Sequence, residues 1–235
     1  MKILVIGGMH GNETLGISLV EVLKANPLLG VDAVIANQPA LDQEVRFTSV
    51  DLNRTFPGVA DSLLYEERRA NELMSLAQDY DVVLDFHNTF CPDNDCTFVG
   101  EKGNQILDRV AGYLGLMKMV VADYDCINKY LPNCISIEVS MSSELNSVDY
   151  WYEKIKRLSS VDALPEAVEL EKYRFAYRMT LDDRDRLDLD RRSLRAFQPL
   201  PSDITRELGL TQEAYPIFIA DTFTPYNYGG ILYKM

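Results

Sequence analysis

Residues 1–13, with the sequence MKILVIGGMHGNE, guide the interpretation of the whole chain. Residues 2–6 are a short run dominated by β-branched and apolar side chains, which predicts a buried β-strand. Two glycines follow, and glycine allows a sharp turn or a close approach of two backbone segments. His10 and Glu13 come directly afterwards. An imidazole and a carboxylate three residues apart can converge on one cation, and both are ligands that suit zinc.

The second of the only two histidines in the chain occupies a similar place. Residues 81–86, DVVLDF, predict another buried strand, and His87 follows it directly. A lone histidine at such a position is more often structural than a metal ligand. However, ligands of doubly wound α/β proteins bind at the carboxyl ends of the strands. We therefore expect His10, Glu13 and His87 to meet at one edge of one sheet and to hold a metal ion.

Helix and strand patterns alternate along most of the chain, which predicts an α/β fold with a mixed, largely parallel central sheet flanked by helices. Residues 1–157 are expected to form this domain. Residues 158–235 are expected to form a small, partly β C-terminal module that completes the pocket, with residues 216–220 as its clearest strand. The mixed-charge run at residues 182–192, DDRDRLDLDRR, predicts a solvated loop or an ion-paired surface.

The segment at residues 51–58, DLNRTFPG, places a carboxylate, an amide and a guanidinium within four residues. A solvated loop closed by a Pro-Gly turn is one interpretation. The other is an anion clamp formed by Asn53 and Arg54, because the planar guanidinium matches the geometry of a carboxylate.

Glu138 lies inside a strand-like apolar segment, CISIEV, at residues 134–139. A buried carboxylate costs free energy unless it is paired or used in chemistry. One interpretation is therefore an ion pair with an arginine elsewhere in the chain. The other is a general base whose pKa is raised by its surroundings.

Composition excludes several classes of function. The 235 residues include 36 acidic and 23 basic side chains, giving a net charge of −13. This balance argues against nucleic acid, which is bound largely by neutralising phosphates, and against an anionic membrane surface. The longest uncharged run, residues 222–233, is shorter than the roughly 20 residues that span a bilayer. The N-terminus lacks the pattern of a signal peptide, so we predict a cytoplasmic protein whose four cysteines are free thiols.

Several motifs in order resemble those of the aspartoacylase and succinylglutamate desuccinylase family, a branch of the zinc carboxypeptidase clan. They are GGMHGNE, DLNRTFPG, DFHNT and IEV, supported by YEERRANE, CTFVG and the C-terminal AYPIFIADT. The resemblance covers most of residues 1–140 and implies a zinc-dependent hydrolase that cleaves the amide bond of an N-acyl amino acid. It implies one zinc ion per chain and a small anionic substrate, and it leaves the oligomeric state open.

The resemblance also implies roles for individual residues. It makes His10, Glu13 and His87 the zinc ligands and Glu138 the residue that activates a zinc-bound water. Its remaining correspondences are Arg46 as the group that polarises the scissile carbonyl, Asn53 and Arg54 as the grip on a substrate carboxylate, and Tyr226 as a substrate-binding tyrosine from the C-terminal module.

Two departures from the family pattern leave the substrate open. The family carries a further substrate-binding arginine about ten residues before the base, where this chain has Asn128 and Lys129, and the C-terminal module is short. A metallocarboxypeptidase or murein-peptide amidase of the same clan, acting on a short peptide, is the first alternative. The second is a non-catalytic zinc-dependent binding protein, against which Glu138 argues because a pure binder needs no base.

Overall fold

The computed structural model describes residues 1–164, 166, 169–221 and 227–235. Its strands are β1 (Ile3–Gly7), β2 (Val31–Ile35), β3 (Val82–Thr89), β4 (Cys96–Gly100), β5 (Lys118–Ala122), β6 (Cys134–Ser140), β7 (Glu171–Met179), β8 (Ala214–Ile217) and β9 (Gly229–Lys234). Its helices are α1 (Thr14–Ala25), α2 (Gln38–Asp42), α3 (Tyr65–Ala77), α4 (Ile106–Leu114), α5 (Ile127–Tyr130), α6 (Val148–Ser160), α7 (Leu181–Leu187) and α8 (Ser202–Glu207). Short 3₁₀ turns span Leu52–Arg54 and Leu189–Arg191.

The strands form one sheet in the order β2-β1-β3-β6-β4-β5-β7-β9-β8. The neighbours β2-β1, β1-β3, β3-β6, β4-β5 and β5-β7 are parallel, and the remaining three pairs are antiparallel. The predicted fold, a largely parallel mixed sheet flanked by helices, is therefore confirmed. The C-terminal strands β7, β8 and β9 extend this same sheet at one end.

Helices cover both faces of the sheet at its centre. Along β1, Ile3 and Val5 pack in the cluster formed with α1, α4 and α6, whereas Leu4 and Ile6 pack with α3 and α5. A strand buried on both faces needs apolar side chains at every position rather than at every second one. This explains why the first strand is a continuous apolar run in the sequence.

Glycine allows α1 to pack directly against the end of β1. A Cβ atom at Gly7 would lie 2.1 Å from the carbonyl oxygen of Gly16 in α1, which leaves no room for any side chain. Gly8 follows with φ +66°, a left-handed conformation that glycine adopts without steric cost. The chain can therefore leave the strand and turn at once into the segment that carries His10 and Glu13.

Two C-terminal elements differ from the sequence-based expectation. The strand expected at residues 216–220 is β8, and it ends at Ile217 because Phe218 and Ala220 have positive φ angles of 54° and 53°. The charged run expected as a loop or ion-paired surface begins with helix α7, which a capping box between Thr180 and Asp183 initiates. Ion pairs such as Arg186 with Asp183 lie on this helix, so the ion-paired surface is confirmed and the loop is wrong.

The described residues include no helix long and apolar enough to cross a bilayer. All four cysteines are buried and unpaired, which confirms the predicted free thiols.

Candidate metal centre

The three predicted metal ligands lie together at the carboxyl ends of two neighbouring parallel strands. His10 follows β1, Glu13 begins α1, and His87 is near the end of β3. Each offers one ligand atom within 4.8 Å of the others, and at most 3% of each residue is exposed. His10 and His87 are 77 positions apart in the sequence. The structure brings them together at the carboxyl ends of neighbouring strands, as we expected from the sequence.

The carboxylate of Glu13 lies between the two imidazoles. Its Oε1 is 2.6 Å from Nδ1 of His10, and its Oε2 is 2.9 Å from Nδ1 of His87. Burial opposes ionisation of Glu13, but the charges and hydrogen bonds of both histidines outweigh it and hold the pKa of Glu13 far below its usual range. Glu13 is therefore ionised at neutral pH, as a metal ligand must be.

Asn88, and not Glu13, caps the start of α1. Glu13 occupies the N-cap position, but its carboxylate makes no capping hydrogen bond. The backbone N–H of Leu15 donates instead to Oδ1 of Asn88, at 2.9 Å. The Nδ2 of Asn88 in turn donates to the carbonyl of Val139 on β6, at 3.2 Å. Asn88 thus joins the start of α1 to two strands and leaves Glu13 to face the histidines.

Two further carboxylates hold the outer nitrogen of each imidazole. Asp51 Oδ1 lies 3.1 Å from Nε2 of His10, and Asp85 Oδ2 lies 2.8 Å from Nε2 of His87. A carboxylate at Nε2 favours a proton on that nitrogen, which leaves the lone pair of Nδ1 for a cation. The site therefore has the supporting hydrogen bonds that are typical of protein metal centres.

Sequence analysis assigned no role to these two carboxylates, although one signal was available. Asp85 precedes His87 by two residues, and residues two apart in a strand share a face. The position of Asp51 depends on how its loop folds back toward β1, which no local pattern predicts.

Arg46 lies at the rim of the ligand cluster and contacts two of its carboxylates. Its guanidinium donates to Glu13 Oε1 and to Asp51 Oδ2, in each case at 3.3 Å. Only 15% of its side chain is exposed. Arg46 therefore lies beside the predicted ligands, where its charge stabilises both carboxylates, and it lines the pocket.

Glu138 faces the same pocket from the next strand. In the parallel pairing of β3 and β6 it is the direct partner of His87. Burial raises the pKa of Glu138 to about 8, and neighbouring carboxylates act in the same direction against the opposing charge of His87. Within the described part of the chain Glu138 forms no ion pair, so the arginine partner required by the structural interpretation is not found there. Its carboxyl can exchange a proton near neutral pH.

Asn53 and Arg54 belong to the 3₁₀ turn that Asp51 caps. Asn53 Oδ1 accepts a hydrogen bond from the backbone N–H of Ile127 at 3.2 Å, so this side chain also anchors α5. Arg54 donates to the carbonyl of Asn53 at 2.7 Å, and its guanidinium carbon lies 5.0 Å from the ring centroid of Tyr124. It is Arg46, and not Arg54, that contacts the Asp51 side chain. Arg54 therefore does not hold its loop through that carboxylate.

Asn128 and Lys129 stand where the family resemblance implies a further arginine. The side chains of both residues bond to groups outside the pocket. Asn128 Nδ2 donates to the carbonyls of Phe98 and Cys134, at 3.1 and 3.2 Å. Lys129 pairs at the surface with Asp125, at 3.0 Å. Neither side chain lines the pocket, so any further cation for a substrate must come from a different element.

The ligand cluster opens into a pocket that encloses about 720 Å³ of space, including space open to solvent. Residues 1–140 supply one side of it, including the three ligands, Glu138 and Arg54. The other side comes from the C-terminal strands and the loop between them: Phe175, Arg178, Phe218, Asp221, Asn227 and Gly230. Tyr226, the predicted substrate-binding tyrosine, lies outside the described residues. Sequence analysis did not single out Tyr124, Arg178 or Asp221.

Comparisons with known proteins show which family part of the chain is similar to. Residues 1–99 match the model of the succinylglutamate desuccinylase/aspartoacylase catalytic domain. Aspartoacylase from Rattus norvegicus is 36% identical over 134 residues, which are 48% of this chain and 42% of that protein. The N-acyl-aromatic-L-amino acid amidohydrolase (carboxylate-forming) of Xenopus tropicalis is 30% identical over 129 residues, 48% of this chain and 41% of the relative. The match thus spans less than half the length of these curated relatives.

Solved structures extend the likeness of fold to the whole chain. A succinylglutamate desuccinylase from Chromobacterium violaceum superposes with a TM-score of 0.74 and 19% identity, covering 100% of this chain and 85% of that one. Murine aminoacylase 3 gives a TM-score of 0.71 at 19% identity, covering 100% and 95%. The resemblance that the sequence motifs indicated is therefore confirmed for residues 1–99, which match the succinylglutamate desuccinylase/aspartoacylase catalytic domain. The fold of the whole chain is similar to that of the two solved structures.

Proposed function

We propose that this protein is a zinc-dependent hydrolase that cleaves the amide bond of an N-acyl amino acid. The observation that carries the proposal is the convergence of two histidines and Glu13 beside Glu138. Glu138 is the strand partner of His87 and forms no ion pair with a residue that the structure describes. The names of the curated relatives, aspartoacylase and an N-acyl-aromatic-L-amino acid amidohydrolase, support the same class of reaction.

The chemistry of the donor set fits zinc. Two imidazoles and one carboxylate form a catalytic ligand set that leaves a coordination position open. The cluster also holds three carboxylates, Glu13, Asp51 and Asp85, against one arginine, so a divalent cation would balance its charge. A zinc ion bound by His10, Glu13 and His87 would supply Lewis acidity, which polarises a carbonyl and acidifies water.

Glu138 is the proposed general base. Its carboxyl lies in the pocket with its pKa raised to about 8, close to the pH at which a proton must be taken up and released. It would remove a proton from the attacking water and deliver it to the nitrogen of the departing amino acid. A buried environment and nearby carboxylates favour the protonated form that makes this second transfer possible.

The arginines of the pocket have separate proposed tasks. Arg46 lies at the rim of the ligand cluster, where its guanidinium would stabilise the negative charge that develops on the substrate oxygen. Arg54, which no carboxylate of the described residues contacts, would bind the carboxylate of the amino acid product together with Asn53. We also keep the predictions of a cytoplasmic location and of a C-terminal module, residues 158–235, that completes the pocket with Tyr226.

The direct test is turnover by the zinc-loaded protein. At least one of N-acetyl-L-aspartate, N-acetyl-L-phenylalanine and N-succinyl-L-glutamate should release free amino acid, and dipeptides should not. The Glu138→Gln variant is the matched control, because it removes the base and keeps the shape of the side chain. Release of C-terminal residues from peptides would favour the metallocarboxypeptidase alternative. Zinc-dependent binding without turnover would favour a non-catalytic binder.

A further inference from the structure

Among the described residues, three arginines line the pocket, and described carboxylates pair with one of them. Arg46 contacts both Glu13 and Asp51. Arg54 and Arg178 form no ion pair with any residue that the structure describes. The chain has 13 more acidic than basic side chains. Two pocket arginines that pair with no described carboxylate therefore leave positive charge available to an anionic ligand.

Arg54 and Arg178 approach the same aromatic ring. Their guanidinium carbons lie 5.0 and 5.8 Å from the ring centroid of Tyr124, within the range of cation–π contacts. The two guanidinium carbons therefore cannot be farther apart than the sum of these distances. A contact with the face of a ring uses the charge of an arginine but leaves its N–H donors in the guanidinium plane free for oxygen ligands.

A β-bulge explains how Arg178 reaches this ring. Phe175 pairs with Leu232 of β9, yet the next pair is Tyr177 with Ile231, so β7 contains one extra residue. In a regular strand, positions 175 and 178 would face opposite sides of the sheet. Here Phe175 contacts Tyr124 with a centroid distance of 5.4 Å, and Arg178 contacts the same ring.

The apolar clusters confirm that β7 changes face at the bulge. Tyr173 and Phe175 pack in the cluster around Phe197 and Tyr215. Two residues further on, Tyr177 and Met179 pack in a different cluster. Bulges commonly redirect a side chain next to a functional site. In this strand the bulge moves position 178 to the pocket side.

A glycine keeps the space beside Arg178 open. Gly230 of β9 is the direct cross-strand partner of Arg178, and it also lines the pocket. A Cβ atom at this position would lie 2.7 Å from Cε2 of Phe175. The absence of a side chain at Gly230 therefore lets the Phe175 ring and Arg178 lie side by side.

We propose that the bulge in β7 makes Arg178 the second carboxylate-binding arginine of the pocket, opposite Arg54, and so a residue that determines substrate specificity. Arg54 binds the carboxylate of the amino acid, and Arg178 binds a second carboxylate of the same substrate. The ligand identity rests on the proposed deacylase function. The second carboxylate belongs either to the amino-acid side chain or to the acyl group, and both sources present the same chemistry to a guanidinium.

The test compares substrates that differ only in this second carboxylate. N-acetyl-L-aspartate is paired with N-acetyl-L-asparagine, and N-succinyl-L-alanine is paired with N-succinamoyl-L-alanine. For Arg178→Gln we expect kcat/KM to fall about 10- to 100-fold on the acid of one pair and less than about 3-fold on its amide, because a charge-assisted bidentate contact is lost. The loss should fall mainly on KM, and Arg178→Lys should recover part of it.

Arg174→Gln is the matched control, since Arg174 is exposed on the same strand before the bulge and pairs with Glu101 outside the pocket. It should leave both pairs unchanged. The pair that responds to Arg178→Gln identifies the source of the second carboxylate. Equal losses on acid and amide would reduce Arg178 to a support for Tyr124 and overturn the assignment, as would unchanged kinetics on both pairs.

A calorimetric titration separates this assignment from the deacylase proposal. If the zinc-loaded wild type hydrolyses none of the four compounds, the deacylase proposal fails, and their Kd values decide the role of Arg178. Weaker binding of one acid, with its amide unaffected, would support the assignment. Equal Kd values for wild type and Arg178→Gln would overturn it.

Discussion

The two sides of the pocket are built by different means. On the side of residues 1–140, His10, Glu13, His87 and Glu138 stand at or near the ends of neighbouring strands, where a regular parallel sheet places them. On the C-terminal side, Arg178 enters the pocket through an irregularity in β7. The first side follows from periodicity and strand order, whereas the second depends on a single extra residue. In the proposed function, the regular side would carry the chemistry and the irregular side the selectivity.

The largest effect is expected from removing a ligand on the regular side. His87→Ala should lose nearly all of the bound zinc, because two remaining donors cannot complete the ligand set. Metal analysis after dialysis should show about one zinc per wild-type chain and almost none in the variant. Glu21→Gln, on the exposed face of α1, is the control. Undiminished zinc in His87→Ala would break the assignment of this side.

Glu138→Gln tests whether the same side also carries the base. The variant should retain zinc and fold but lose about 10²- to 10⁴-fold in kcat, the usual contribution of a general acid–base group. Steady-state kinetics at saturating substrate, with zinc content measured on the same samples, would check this. A kcat near that of the wild type would place the base on another residue.

Arg54→Lys tests whether Arg54, which lines the pocket, binds a carboxylate of the substrate. Lysine keeps the charge of arginine but lacks its planar, two-pronged arrangement of N–H donors. We therefore expect kcat/KM to fall about 10- to 150-fold on acidic substrates, which corresponds to the loss of one hydrogen bond to a charged group. An analogue with its α-carboxylate amidated should be largely spared. The comparison of acid and amide is the measurement, and equal losses on both would make Arg54 a structural residue.

Asp85→Asn should weaken the centre without abolishing it. The carboxylate at Nε2 of His87 orients the ring, and loss of such a supporting group typically lowers metal affinity about 10- to 100-fold. Competition with a chromophoric chelator would measure the change in Kd. The same substitution at Asp81, which is exposed and outside the pocket, provides the comparison. An unaltered zinc Kd would show that Asp85 does not support the ligand.

The smallest effect concerns stability and pH in the metal-free protein. The pKa of Glu138 is about 8 in the folded chain against 4.5 for an ordinary glutamate, so the folded state binds this proton more tightly than the unfolded state. Stability should therefore decrease as pH rises from about 4.5 to about 8. Glu138 keeps partial exposure to the pocket, so the cost at pH 8.5 should be about 2 kcal/mol rather than the full value of the shift.

Denaturant unfolding of wild type and Glu138→Gln would measure that cost. The variant should be more stable at pH 8.5 and equal to the wild type at pH 5, because glutamine has no charge to bury. A difference that does not change with pH would contradict the raised pKa.

The fold and the convergence of His10, Glu13 and His87 were predictable because their signals are local. The apolar run of β1, the recurrence of Leu15, Leu19 and Leu23 at every fourth position of α1, and the position of both histidines at strand ends are each visible within a short stretch of sequence. The end of β8 and the start of α7 were not predictable from residue propensities. Positive φ angles at Phe218 and Ala220 end β8, and a capping box begins α7.

The missed parts of the site share another property. Asp51 reaches His10 across 41 residues, and Arg178 reaches Tyr124 only after the register shift in β7. Contacts of this kind depend on how separate elements are aligned, and a single sequence carries no periodic signal for that alignment. Only the resemblance to known family members indicated Arg46. Its contact with Glu13 spans 33 residues, and its contact with Asp51 depends on how an irregular loop folds.

The hydrogen bonds of Asn88 have a consequence for the rate at which the proposed centre would take up a metal ion. Because Asn88 joins α1 to β3 and β6, the distance between Glu13 and His87 is set by the packed sheet before any ion arrives. Metal uptake should then proceed without coupled folding, unlike the behaviour of small zinc domains. Its rate should therefore not depend on refolding of the chain, and cobalt could replace zinc in the same preformed site.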